Sequence, residues 1–290
     1  MAEKYYGTVE AGGTKFIVAV ADEKQKIVDQ ARVKTEDPES TINNCLDFFR
    51  KYALKSVAIG TFGPIDIDKH SETYGFIKNT PKDGWSNFDL KGAFERGLNV
   101  PVAITTDVNA SAYGEFIARG KKLDKSLLYI TIGTGIGGGL MQGDKFIGLN
   151  NHPEMGHMVA RKHPDDKFVG GCIFHKDACF EGLAAGPTLK GRTGIPGEDL
   201  PRDHETFKFI RYYVAQLLFD IYLTARPDVM IVGGSVLTED DMPEVRDDFA
   251  LFMNGYFDGL NLDEMIVRPA VENNGSAVLG CIEMAKKIAK

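Results

Sequence analysis

Four residues are spaced as ligands of a tetrahedral metal ion: His157, Cys172, His175 and Cys179, in the order His-x14-Cys-x2-His-x3-Cys. Two thiolates and two imidazoles form a closed shell with no position left for water, which is the form of a structural zinc site. On sequence alone His152 or His163 could replace one histidine of the set. Glu154 stands three residues ahead of His157, on the same side if that turn is helical, so a bound ion would fix the segment that aims its carboxylate. Glu181 follows Cys179 by two residues and leads into Gly182-Leu183-Ala184-Ala185-Gly186-Pro187. It is either a second polar group for the same ligand or a solvated glutamate.

A second kind of chemistry is carried by three glycine turns, each after a strand-like run: Ala11-Gly12-Gly13-Thr14-Lys15, Gly133-Thr134-Gly135-Ile136-Gly137-Gly138 and Gly233-Gly234-Ser235. Glycine lets backbone amides come close to a phosphate, and Thr14 or Thr134 can add a hydroxyl. Any one of them reads equally well as a tight hairpin turn; three after strands in one chain point to phosphate. None is a Walker A loop, since the Gly-x-x-x-x-Gly-Lys-Ser/Thr pattern is absent and the turns join strand to strand. Phosphoryl transfer to an alcohol needs a carboxylate to take the hydroxyl proton, beside positioning and a metal ion that neutralises charge. Asp107 is the candidate base; within Thr106-Asp107-Val108-Asn109 it could equally be the N-cap of a helix.

These residues need elements to hold them. Strand patterns run over 5–10, 15–21 and 27–33, and a helix capped by Ser40 or Thr41 carries Ile42, Cys45, Leu46, Phe49 and Ala53 at helical spacing. A strand over 56–60 is followed by a long turn-rich stretch, 66–97, that holds the only tryptophan, Trp85, and a short helix near 90–96. A strand over 101–105 places Asp107 just past its end, where open α/β sheets bind ligands, and a helix over 108–119 follows. Strands over 127–132, 136–141 and 145–148 repeat the opening pattern, with Tyr6, Thr8, Val9 and Gly12 in register with Tyr129, Thr131, Ile132 and Gly135. Chance similarity and duplication both account for that register. A helix over 206–225, a strand over 229–232 and a last helix over 276–289 complete an α/β pattern with mixed sheets.

At 290 residues the chain has room for two domains. Its 43% hydrophobic and 26% charged residues are ordinary for a globular protein, and no apolar run reaches the length of a membrane span. A net charge of -7 argues against nucleic acid or an anionic membrane as partner. Four cysteines do not make a disulfide framework; Cys45 and Cys281 read as buried thiols. Met1-Ala2-Glu3-Lys4 runs almost at once into a strand, so no signal peptide is expected and the cytoplasm is the expected location.

The ordered set Glu10-Ala-Gly-Gly-Thr-Lys15, Gly60-Thr-Phe-Gly-Pro-Ile65, Thr106-Asp-Val-Asn109, Thr131-Ile-Gly-Thr-Gly-Ile-Gly137, Pro153-Glu-Met-Gly-His157, Cys172 to Cys179, Glu181 to Pro187 and Gly233-Gly-Ser-Val236 resembles the ROK sugar kinases, within them the bacterial fructokinases. The resemblance implies an actin-like (ribonuclease H-like) α/β fold of two domains with the active site in the interdomain cleft, usually in a homodimer. The expected division is a smaller domain over 1–120, with the helix at 275–290 packed back on it, and a larger one over 121–274 that carries the zinc segment 152–180. It implies ATP with magnesium and a hexose, fructose first, as substrates. Asp107 becomes the base for the sugar 6-hydroxyl, and Glu154, His157, Glu181 and Asn79 the sugar contacts. Gly12, Gly13, Thr14, Lys15, Thr131, Gly133, Thr134, Gly135, Pro187, Gly233, Gly234, Ser235, Val236 and Leu237 become the nucleotide site. Zinc at His157, Cys172, His175 and Cys179 follows as well. Three positions depart from the commoner family pattern: Glu10 stands for aspartate, Thr106 for the asparagine of glucose-directed members, and His175 for a cysteine. The last two point to the fructokinase branch. A ROK repressor is not expected, because a helix-turn-helix has no room ahead of Ala11.

Overall fold

The computed structural model describes residues 4–80, 82–272 and 275–289. In chain order the strands are β1 Tyr5–Ala11, β2 Lys15–Ala21, β3 Ile27–Lys34, β4 Leu54–Thr61, β5 Val102–Thr106, β6 Ser126–Ile132, β7 Ile136–Gln142, β8 Lys145–Phe146, β9 Val229–Gly233 and β10 Ile266–Val267. The α-helices are α1 Pro38–Phe49, α2 Leu90–Leu98, α3 Asp107–Ala118, α4 Phe180–Ala184, α5 Pro187–Thr193, α6 Thr206–Ala225, α7 Met242–Met253, α8 Leu262–Met265 and α9 Ser276–Ile288. The chain divides into two compact units: Met1–Lys121 with Asp144–His152 and Ala270–Lys290, and Lys122–Gly143 with Pro153–Pro269. None of the described helices is long and apolar enough to cross a membrane.

The first sheet runs β3-β2-β1-β4-β5 and the second β10-β9-β6-β7-β8. Read from the hairpin side these are one order, with β1/β2 and β6/β7 antiparallel and β1/β4 and β6/β9 parallel. The repeat suspected from sequence is therefore present in the topology, with a different alignment. The hairpins close at Ala11–Phe16 and Ile132–Ile136, which pairs Ala11 with Ile132 where the residue register had paired it with Thr134. A shift of two keeps each side chain on its face of the sheet, so inward and outward positions still correspond although the identities of Tyr6 with Tyr129 and of Thr8 with Thr131 do not.

Side-chain alternation sorts the first sheet. Val9 and Ala11 of β1 join Cys45, Leu46 and Phe49 of α1 and Leu90 and Phe94 of α2 in one core. Tyr6, an odd number of residues from both Val9 and Ala11, joins Ala110 of α3 and Ala277, Cys281 and Ala285 of α9 on the other face. By the same alternation Glu10 faces α3 and α9. Those helices cross at near backbone contact: a Cβ on Gly114 would lie 1.9 Å from the Ser276 carbonyl oxygen, and one on Gly280 would lie 2.0 Å from that of Ala110.

Two local readings change. The cap of α1 is Asp37, which accepts from the Ser40 amide at 2.9 Å, with Pro38 at the first helical position. Proline there is preorganised, so the helix starts ahead of Ser40 and Thr41. The turn-rich stretch before α2 is held from inside: Trp85 is fully buried against Phe16, Phe62 and Phe88, and its indole donates to the Glu36 carbonyl at 2.9 Å.

In the second unit a buried ion pair ties loop to helix. Arg192 of α5 meets Asp166 at 2.7 Å and donates to the Leu183 carbonyl at 2.7 Å, and the Tyr213 hydroxyl of α6 donates to Asp166 at 2.9 Å. Pairing and hydrogen bonding of this kind are what allow charges to stay buried. Cys45 and Cys281 are buried, and burial pushes the Cys45 thiol up to about 12.

Candidate active site

Asp107 is the first residue of α3, half-buried, and not its cap. Thr106 takes that place, accepting from the Asn109 amide at 3.1 Å. A side chain at the first helical position is free to project beyond the helix end, where the helix dipole favours negative charge. Glycine sets its height above the sheet: a Cβ on Gly60 of β4 would come within 2.8 Å of Ala110 Cβ and 3.4 Å of Asp107 Cα, so only glycine lets this end of α3 settle there. The Asp107 carboxylate accepts from the Val108 amide at 2.8 Å. Glu10 lies on the same side, and burial first, then the Asp107 charge, raises its pKa from 4.5 to about 7 against the opposing pull of Lys15. Two neighbouring carboxylates that resist joint ionisation form a hard-oxygen donor set of the kind magnesium takes. The turn beside them is tight, with the Gly12 amide bonded to the Lys15 carbonyl at 3.0 Å, and Lys82 donates to the Gly13 carbonyl. Gly13, Thr14 and Lys15 are exposed, as is Asn79.

The second unit brings four predicted metal ligands together. One donor atom from each of His157, Cys172, His175 and Cys179 lies within 4.8 Å of every other. Cys172 Sγ is 3.9 Å from Nδ1 of both His157 and His175, and Cys179 Sγ is 4.0 Å from His157 Nδ1. A tetrahedral zinc with ordinary bond lengths puts sulfur and nitrogen about 3.6 Å apart, so the four fit that ion with a small contraction. His152, the alternative from sequence, instead meets Ile65 through Nε2, and His163 packs on Phe209 and Tyr212. Amides of His175 and Gly182 point at the two sulfurs, at 3.5 and 3.4 Å. Burial, with a further contribution from Cys172, lifts the Cys179 thiol to about 11, so a bound cation is what would keep it a thiolate near neutrality.

His157 uses both ring nitrogens. Nδ1 faces the sulfurs, and Nε2 is 3.9 Å from Glu181 Oε1. Glu181 is half-buried and accepts from the Ile136 amide at 3.1 Å through its other oxygen, so it is not a solvated glutamate. The histidine is seated by Gly156, where a Cβ would meet the Ile136 carbonyl oxygen at 2.1 Å. Glu154 is exposed just ahead of this short 3-10 turn, its carbonyl accepting from the His157 amide at 3.0 Å.

Gly133, Thr134, Pro187, Ser235 and Val236 line a single pocket of about 490 Å³. The turn at Gly133 is closed by its own bond to Gly135 at 2.9 Å, and the Gly186 amide donates to the Gly133 carbonyl at 2.7 Å. Gly234 has φ +82, and a Cβ there would lie 2.2 Å from the Ile132 carbonyl oxygen. Thr131 and Gly233 are paired neighbours in β6 and β9 beside this pocket's turns, and Leu237 is buried. Sequence reasoning missed Lys190, Glu198 and Arg202, which also line the pocket. Lys190 three residues after Pro187 at a helix start was the one available signal. A second pocket of about 410 Å³, along 166–169, 191–193 and 204–209, contains none of the predicted residues.

Two α/β units of one topology, with glycine turns at their strand ends and a carboxylate at a helix start, define the actin-like class of sugar kinases. The chain belongs to the ROK family, whose model matches residues 6–288. It is 48% identical to a fructokinase of Streptococcus mutans over 99% of both chains, and 43% identical to one of Lactococcus lactis over 97% of both. A ROK family glucokinase from Streptomyces griseus, solved with glucose and AMPPNP, matches with a TM-score of 0.73 over 98% of this chain and 99% of its own, at 22% identity.

The raised pKa of Glu10 has a thermodynamic signature. Its folded value, about 7, exceeds the unfolded 4.5, so its charge opposes folding fully above pH 7 and not at all well below 4.5. Glu10→Gln should therefore stabilise the magnesium-free protein, by an amount that grows from near zero at about pH 4 to about 3 kcal/mol at about pH 8. Urea denaturation across that range measures it, and a pH-independent difference would contradict it.

Proposed function

We propose that the chain is an ATP-dependent fructokinase that transfers the γ-phosphoryl group of MgATP to the 6-hydroxyl of D-fructose, giving fructose 6-phosphate and ADP. The observation that carries the reading is full-length identity of 48 and 43% to fructokinases, against 22% to the glucokinase structure. In this reading Asp107 accepts the 6-hydroxyl proton as that oxygen attacks phosphorus, and the end of α3 supports its charge. Glu10, beside Asp107, is the group that would hold magnesium, directly or through water, and the ion when bound would neutralise charge on the transferring phosphate. Amides of the turns at Gly12 and Gly133 receive phosphate oxygens, and the pocket with Pro187, Ser235 and Val236 takes the rest of the nucleotide. Glu154, His157 and Glu181, with Asn79, hydrogen-bond the sugar. The four-ligand cluster holds structural zinc and thereby fixes the ring of His157 for its sugar contact. The same reading makes the enzyme a cytoplasmic homodimer.

Buried polar groups reject a sugar that leaves them unpaired. ADP release measured across a panel of hexoses should give fructose the highest specificity constant, with mannose accepted and glucose poorer because Thr106 supplies no amide. A glucose constant equal to or above that for fructose would overturn the sugar assignment.

Asp107→Asn keeps the shape and loses the proton acceptor. Turnover should fall by about two to four powers of ten with sugar and nucleotide KM within a few fold. Turnover within about tenfold of the parent would remove Asp107 from the role of base.

Elemental analysis should find close to one zinc per chain, lost together with thermal stability when Cys172 and Cys179 are changed to serine, since metal binding and local folding share one free energy. Chelator-treated protein that is metal-free and fully stable would exclude this.

A further inference from the structure

Three carbonyls, one near the end of β9 and two in the turn after it, are held by two arginines. Arg268 donates to the carbonyls of Val232 and Gly234, the latter at 3.1 Å, and Arg202 donates to that of Val236 at 2.9 Å. They alternate along the chain, and the consequence is stereochemical. In a planar trans peptide the carbonyl of one residue and the amide of the next point in opposite directions. Holding the Gly234 and Val236 carbonyls toward the guanidinium groups turns the amides of Ser235 and Leu237 away from them. Ser235 and Val236 line the pocket that also carries Gly133 and Thr134.

Both arginines are themselves held. Arg202 lies with its guanidinium carbon 4.1 Å above the Phe207 ring and is paired with the buried Asp241. Asp241 accepts from the Thr238 amide at 2.7 Å and its hydroxyl at 3.1 Å, and meets Arg211 at 3.1 Å. The carboxylate thus ties the far end of the same turn to the same arginine. Arg268 is half-buried, and a guanidinium fork spans two carbonyls where a lysine ammonium, a point donor, does not.

We infer that Arg202 and Arg268 are positioning residues for the nucleotide, which fix the direction of the Ser235 and Leu237 amides at the pocket by holding the Gly234 and Val236 carbonyls of the same peptide planes, with the Val232 carbonyl as the second anchor of the Arg268 fork. The inference rests on that pocket being the nucleotide site. It concerns nucleotide affinity alone: both residues lie far in sequence from the proposed base and sugar contacts.

The test is titration of the full-length protein with MgATP, without sugar, by calorimetry, alongside steady-state KM for ATP and for fructose. Arg268→Met and Arg202→Met should each weaken MgATP by about tenfold or more, the cost of losing a charge-assisted hydrogen bond. KM for fructose at saturating ATP and kcat should stay within about threefold, the scatter of an unperturbed site. Arg268→Lys keeps the charge but not the fork, and should bind MgATP nearly as weakly as the methionine variant. Full recovery by lysine would show that charge matters and aim does not, and would overturn the inference. So would unchanged MgATP affinity in a folded variant, or an equal loss for fructose. If a methionine variant does not fold, the lysine variants carry the same comparison. A parent protein that does not bind MgATP would overturn the functional reading and this inference together, whereas normal binding by both parent and variants would overturn the inference alone.

Discussion

Much of the first unit follows from placing two carboxylates, Glu10 and Asp107, side by side at the end of a sheet. Their mutual repulsion and partial burial keep Glu10 from ionising until near neutrality, which is a cost the fold accepts. The arrangement requires glycine at Gly60, so that α3 can begin at the sheet, and glycines at Gly114 and Gly280, so that α3 and α9 can cross at backbone distance behind it. The chain carries a net charge of -7 and is proposed to hold a polyanion. Backbone amides and a metal ion supply the positive potential, and paired carboxylates are how a protein recruits the ion.

The histidine at the cysteine cluster shows a related economy. One ring nitrogen of His157 faces two sulfurs and the other faces Glu181, whose second oxygen is fixed by the Ile136 amide. An ion on the first nitrogen sets the tautomer and orientation of the second. In the proposed reading, structural metal and sugar contact form one mechanical unit, and the missing side chain of Gly156 seats it on β7.

What could be read from the chain was what depends on residue type at short range. The glycine turns, the four metal-type ligands, and the limits of α6 and β9 follow from local chemistry and periodicity. The α1 cap was misplaced because Asp37, Ser40 and Thr41 are all good caps, and only the proline after Asp37 distinguishes them. Asp107 reads from sequence as base or cap for the same reason, and in the structure the cap is Thr106. Trp85 sat in a stretch rich in turn residues, so its complete burial was invisible; its packing partners Phe16 and Phe62 are distant in sequence. Glu198 and Arg202 are invisible in the sequence because a lone charged residue in a loop has no spacing to mark it, whereas Lys190 is marked only by its place in the helix that Pro187 opens.

The shared topology explains why the two units are chemically unlike. In both, a hairpin of a central strand closes in a glycine turn, and a parallel strand beside it ends at the same level. In the first unit that neighbouring strand is β4, where Gly60 admits a helix bearing a carboxylate. In the second it is β9, where Gly233 meets the hydroxyl of Tyr129 and Gly234 turns the chain at φ +82 against the Ile132 carbonyl. A glycine at equivalent ends thus serves two purposes: close approach of a helix in one, reversal of the backbone in the other. The first yields fixed negative charge and the second a row of oriented amides. A phosphoryl transferase needs both, and neither can be built at the other's position without replacing the glycine's neighbours.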